Sequence, residues 1–346
     1  RNSSAAARER KEGGGTIKTR LDQTDPHPHN RARRYATWMD HQHIPARHLL
    51  VALAVVAVWG SNFSVIKVAL DDLPPLFFAT LRFAFAFFPM ALFLPRPKVP
   101  LRELAAYGVL IGAGQFGLLY IALRGDVTPG LASLVLQMQV FFTIGLSMAL
   151  TGERVRLYQV FALGLAVAGI ILIAVRTGGD TTLLGLALCL GAAFSWACGN
   201  IVSRRAQDVN MLAYVVWASV FAVPPLLLLS LLFEGPADIR AGVGAAGVGT
   251  WLAVAYQSAG NTMFGYGAWG WLLSRHPAAT ITPTALLVPV FGMAVAWMFL
   301  DEALPSWKLV AAALVLAGLS LNLVIPRVAS RRTRDAAPIP EAAAGG

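Results

Sequence analysis

Charge is what this sequence has least of. Asp, Glu, Lys and Arg make up 13% of its 346 residues, while 56% are hydrophobic. Soluble domains carry about a quarter of their residues as charges, so the deficit points to lipid as the main solvent. Cysteine is scarce too. Cys189 and Cys198 fall on one expected helix, about 13 Å apart at the α-helical rise, too far for a disulfide. They read as small apolar fillers, and no CxxC or Cys/His spacing for zinc exists. The GxxxxGK[ST] phosphate loop, the GxSxG nucleophile turn and the HExxH zinc helix are all missing, so neither direct ATP hydrolysis nor those hydrolytic chemistries are expected. No carboxylate lies deep in an apolar run. The nearest, Asp126, Glu153 and Glu302, sit at run edges, which argues against a carboxylate relay at mid-membrane. The chain is expected to be no enzyme and to need no cofactor or metal.

What the sequence has is apolar length. Ten runs stand out, at 49–70, 74–94, 104–123, 130–150, 157–175, 182–202, 211–233, 247–272, 278–299 and 307–325. Each is near the roughly 20 residues that cross a bilayer. The eighth has the least defined start, because GVGAAGVGTW precedes it. Residues 1–47 and 327–346 are polar, basic and broken by Gly and Pro, and read as disordered cytoplasmic tails. The histidines of HPHN and HQH in the first tail could bind metal, but a solvated tail is the expectation. No cleavable signal peptide is expected before the first run, since no small-residue cleavage site follows the basic stretch.

The cations orient the chain. With the N-terminus in the cytoplasm, the inner connections hold Arg96, Lys98, Arg102, Arg154, Arg156, Arg204, Arg205 and Arg275, besides both basic tails. The outer ones hold Lys67, Arg124, Arg176, Arg240 and Lys308 and carry acids beside them. Both termini are therefore expected inside the inner membrane, on the cytoplasmic face. The net charge of +10 reads as membrane orientation. A nucleic-acid partner would want a concentrated basic face with aromatics, and none is seen.

The chain also repeats itself. Residues 149–173, ALTGERVRLYQVFALGLAVAGIILI, align with 299–323, FLDEALPSWKLVAAALVLAGLSLNL. Glu153 then matches Glu302, and Gly169 matches Gly318. Earlier in each half a Trp, small residues and an Asn recur, as AVWGSN at 57–62 and SWACGN at 195–200. Five runs per half is odd, so the halves enter the membrane from opposite sides. Inverted repeats are a transporter architecture, with the substrate site where the halves meet.

WGSNFSVIKVAL, the LRF of 81–83, GLASLVLQMQVFFTIGLSMALTGERV and TPTALLVPVFGMAVAWMFLDEAL resemble the EamA-type transporters of the drug/metabolite transporter superfamily. LASLVLQMQVFFT, AAFSWACGNI and YGAWGWLL are most similar to its exporters of O-acetylserine and cysteine. The resemblance implies an all-α membrane protein of ten transmembrane helices, formed by two inverted five-helix repeats at 48–177 and 180–326. It implies a basket around a central cavity, with the fifth and tenth spans outside. It also implies alternating-access export of a small amino-acid-like metabolite, with the lipid bilayer as the other partner and a homodimer as an open alternative. Export of a purine or drug, or a non-transporting scaffold, are the alternatives in function.

The candidate substrate residues follow from polarity inside apolar runs. Asn62 and Asn200 either bond substrate or hold helices together. Trp59 and Trp196 share a helix face with them and either wall the cavity or pack. Ser133 and Gln137 are four apart and share a face, whereas Gln139, two positions on, is expected to point to another helix. Thr280 and Thr284 repeat the four-residue spacing in the second half. Pro283 and Pro289 would free backbone carbonyls there. Gln115 and Tyr266 have small neighbours that admit close backbone approach. Arg82 lies eight residues into its run, where it either snorkels outward or attracts a carboxylate. Lys67, nearer an end, is expected to snorkel. Amides, hydroxyls and one cation would suit a zwitterionic amino acid.

Overall fold

The computed structural model describes residues 44–152, 155–176, 178, 181–204, 206 and 209–335. Both His motifs of the N-terminal tail, and Glu153, Arg154 and Arg205, lie outside them. Among the described residues there is no strand, and the chain is a succession of helices. We label them α1 (Ala46–Ala69), α2 (Pro75–Phe87), α3 (Leu101–Gly125), α4 (Pro129–Thr151), α5 (Leu157–Val175), α6 (Leu183–Ser203), α7 (Met211–Phe233), α8 (Gly235–Ala245), α9 (248–273), α10 (278–300) and α11 (Ser306–Asp335). The last continues past its expected end at residue 325.

Local chemistry sets many of these ends. Pro75 and Pro129 occupy the first helical position, where the missing N–H costs nothing. Thr182 and Asn210 accept from the N–H of Gly185 and Ala213, satisfying orphan donors at the starts of α6 and α7. Gly152 and Asp301 close α4 and α10 in the left-handed region, at φ 71° and 50°. That is a glycine's ordinary helix stop and a tolerable one for Asp.

Nine helices among the described residues are long and apolar enough to cross a membrane. The stretch expected as the eighth span is not among them. It forms a continuous helical path over 248–273, but Gln257, Ser258, Asn261 and Thr262 lie buried in its middle. Those polar groups lower its hydropathy and find partners in the protein interior.

The contacts show how the helices run. At one face Lys67 Nζ donates to the Arg124 carbonyl, Thr182 to Asp126, and Thr250 to Asp72. At the other face His48 meets His276, Trp217 Nε1 donates to the Leu94 carbonyl, and Arg204 to Ser147. α1, α6 and α9 thus each reach from one polar face to the other. Lys67 ends in that polar layer, as expected of a snorkelling side chain.

Two irregularities occur twice. The third long helix of the first half, α3, is π-helical over Leu110–Gly117, and α9 is π-helical over Tyr256–Phe264. The next helix in each half holds a 3-10 turn, Leu136–Met138 in α4 and Thr282–Leu287 in α10. In contrast α5 and α11 are regular and pack on one another along small residues. A Cβ on Gly169 would meet Val315 and the Ala311 carbonyl.

Candidate substrate cavity

α1, α2, α3, α4, α6, α7, α9 and α10 contribute to the walls of a cavity of about 1020 Å³, at the upper end of the range for small-molecule sites. Its lining reaches Ser203, Asn210, Met211 and Ser274, which are helix ends at one face. At the opposite face no described lining residue comes from the helix ends, and acidic side chains tie those ends together. Glu302 accepts from Thr128 Oγ1 at 2.6 Å, the Gly130 N–H at 2.8 Å and Lys308 Nζ at 2.9 Å. It thereby caps the start of α4 from the segment after α10, a favourable site for a carboxylate. Glu234 likewise accepts from the N–H groups of Leu76 and Phe77, at 2.6 and 3.0 Å, at the start of α2. The cavity is open at one face and sealed at the other.

Nine of the eleven residues singled out from the sequence line this cavity: Trp59, Asn62, Arg82, Gln115, Ser133, Gln137, Trp196, Asn200 and Tyr266. Asn62 and Asn200 also bond other helices. The Asn62 and Asn261 amides meet at 2.9 Å, and Asn200 Nδ2 donates to Gln139 Oε1 at 2.9 Å. These amides thus line the cavity and join helices at the same time. Trp59 Nε1 donates to the Asn261 carbonyl at 3.3 Å, and its ring tilts against Tyr266 and Trp269. Gly265 permits this, since a Cβ there would strike the Trp59 indole.

Two expectations need correction, and one of two open readings of Arg82 is removed. Gln139 does contact another helix, but it also lines the cavity. The 3-10 turn at Leu136–Met138 tightens the helix to about three residues per turn, which brings Ser133, Leu136 and Gln139 onto one face. Thr280 and Thr284 do not line the cavity. In the 3-10 stretch Thr282–Leu287 the same period selects Thr282, Ala285 and Val288, and the Thr284 hydroxyl donates to the Ile281 carbonyl at 2.7 Å instead. Finally, Arg82 does not snorkel. It is 1% exposed. Its guanidinium lies 3.6 Å over the Phe116 ring, and Nη1 donates to Gln257 Oε1 at 2.8 Å and Tyr120 Oη at 3.3 Å.

The residues that sequence reasoning passed over are Gln257 and Asn261. They carry the same signal as Asn62 and Asn200, an amide inside an apolar run, and at four residues apart they share a helix face. With its oxygen turned toward Arg82, the Asn261 amide accepts from Nη2 at 2.8 Å. Asn62, Arg82, Tyr120, Gln257 and Asn261 form one polar network joining α1, α2, α3 and α9.

The model of the EamA-like transporter family matches this chain twice, over residues 46–175 and 183–324. The chain belongs to that family. A protein of Salmonella typhimurium named probable amino-acid metabolite efflux pump is 42% identical over 289 residues, 82% of this chain and 96% of its own. The Escherichia coli protein of the same name is 40% identical, over 79% of this chain and 94% of its own. More distant, at 27% identity over 82% of this chain and 95% of its own, is a probable terminal-alkyne amino-acid exporter of Streptantibioticus cattleyicolor. One solved crystal structure superposes with a TM-score of 0.57, covering 84% of this chain and 99% of its own at 20% identity, a likeness of fold alone. Family and helices together make this EamA transporter a multi-pass membrane protein.

Proposed function

We propose that this protein exports small amino-acid-like metabolites, of the cysteine or O-acetylserine type, from the cytoplasm across the inner membrane by alternating access. The observation that carries the reading is the cavity itself. It gathers amides, hydroxyls, aromatic walls and one guanidinium inside an apolar helical shell, is reachable from one face, and is closed at the other. The names of the relatives at 42% and 40% identity point to the same solute class.

The finer architecture is part of the proposal. α9 is taken as a tenth crossing despite its polar middle, and the halves as inverted repeats. The recurrence of a π segment and then a 3-10 turn in each half supports this, as does the separate family match to each half. The open face is taken as cytoplasmic, because Arg204 and Arg275 lie there. The substrate residues proposed are Trp59, Asn62, Arg82, Gln115, Ser133, Gln137, Trp196, Asn200 and Tyr266, joined by Asn261. Uptake of labelled cysteine and O-acetylserine into inverted vesicles tests the function. Saturable uptake that depends on the protein is expected. Uptake equal to that of vesicles lacking the protein would remove the reading.

A further inference from the structure

We propose that the cavity recognises its passenger through a carboxylate held at Arg82 and makes no demand for an ammonium group. The inference rests on the export reading and sharpens it to a substrate class: small organic acids, amino acids among them, whether or not their nitrogen is charged.

The argument begins with an uncompensated charge. Arg82 is buried, and a guanidinium taken out of water needs an anion or a complete set of acceptors. Among the described residues no carboxylate lies within ion-pair distance of it. Its partners are neutral: the Gln257 and Asn261 amides, the Tyr120 hydroxyl and the Phe116 face. Its Nε–H is buried with no partner at all. The network therefore fixes the cation in place without cancelling it, and leaves a donor unused. A carboxylate supplies both the charge and the acceptor, and matches a guanidinium in shape.

The converse is equally specific. Arg82 is the one charged residue among the described residues lining the cavity, and no Asp or Glu is there. Among the described residues an ammonium group finds only neutral acceptors such as Gln115 and Gln137, and the ring faces of Trp59, Tyr266 and Trp269. It also feels the repulsion of Arg82. No described residue of the cavity rewards a positive charge enough to make it a requirement.

Arg82 also ties α2 to α3 and α9, so replacing it risks the fold. The decisive test therefore uses the unaltered protein and varies the ligand. Labelled cysteine is taken up by inverted vesicles in competition with unlabelled N-acetylcysteine, which keeps the carboxylate and loses the ammonium, and with cysteinamide, which does the reverse. N-acetylcysteine is expected to compete nearly as well as cysteine, and cysteinamide about tenfold or more weaker, the factor that one well-made charge pairing commands. Cysteinamide competing as well as cysteine, or N-acetylcysteine failing to compete, overturns the proposal. A second arm takes Arg82→Lys and Arg82→Gln, each measured on monodisperse protein. A raised half-saturation for cysteine in Arg82→Gln, partly restored in Arg82→Lys, supports it; unchanged half-saturation in Arg82→Gln overturns it. If the unaltered protein takes up no cysteine, the export reading falls first, and this inference with it.

Discussion

Asn62 and Asn261 meet amide to amide across 2.9 Å, and so join α1 to the polar middle of α9. Both also line the cavity. Truncating Asn62 removes a partner from Asn261 and a polar group from the cavity, each a loss on the order of 1–3 kcal/mol for an unpaired buried group. Asn62→Ala and Asn200→Ala are expected to lower transport per folded molecule by roughly tenfold, which corresponds to about 1.4 kcal/mol. Asn62→Leu, which also fills space, should be worse. Thr284→Ala, outside the cavity, is the control. Transport is normalised to detergent-stable monodisperse protein. Normal transport in both Asn variants would assign the amides to helix packing alone.

The path of the chain makes a topological prediction. Val155 follows α4 and Ala303 follows α10, and both are exposed. Single cysteines at these positions, in a background without Cys189 and Cys198, are expected to react with an impermeant thiol reagent from opposite sides, position 155 from the cytoplasm. Labelling from the same side would end the inverted-repeat proposal.

Glu302 and Lys308 form a buried ion pair of 2.9 Å, and Glu302 also caps α4. Glu302→Gln leaves the Lys308 ammonium without its counter-charge, a loss on the order of 3 kcal/mol or more for a buried pair. The variant should melt at a clearly lower temperature in detergent, and Glu302→Gln with Lys308→Met should recover part of the loss. A single variant as stable as the parent would show that the carboxylate does not hold the sealed face.

The 3-10 register of α10 can be read directly. Cysteines at 282 and 285, which face the cavity, should be modified from the open face by a small polar reagent and protected by substrate. A cysteine at 284 should react far more slowly. Equal rates at 282 and 284 would mean that the segment is a plain α-helix in the membrane.

The limits of sequence reading follow from the same residues. The apolar runs gave the helices because bilayer thickness imposes a length that composition reveals. α9 had the least defined start because GVGAAGVGTW precedes it, and its polar middle is satisfied by residues from α1 and α2 that are far away in sequence. Asn62, Asn200 and Arg82 were legible because a polar group in an apolar run needs a reason. The facing of Gln139, Thr282 and Thr284 was not, because it depends on 3-10 turns. These trade one local hydrogen-bond pattern for another, and tertiary packing decides between them. A four-residue spacing picks the right pair only where the helix is regular.

The guanidinium at the cavity wall has an electrical consequence. When the cavity is open to one side, Arg82 takes the potential of that side, so a carrier that alternates sends its charge through much of the membrane field without moving the residue. A full unit charge is worth about 2.3 kcal/mol per 100 mV. With the cell interior negative, the voltage then favours the empty carrier facing the cytoplasm, where it loads. A passenger that is a net anion cancels the charge of the site and turns outward without opposition, whereas a zwitterion leaves that charge whole and turns against the field. The voltage dependence of turnover, compared between N-acetylcysteine and cysteine, is thus a readout of how much of the field falls across this one side chain.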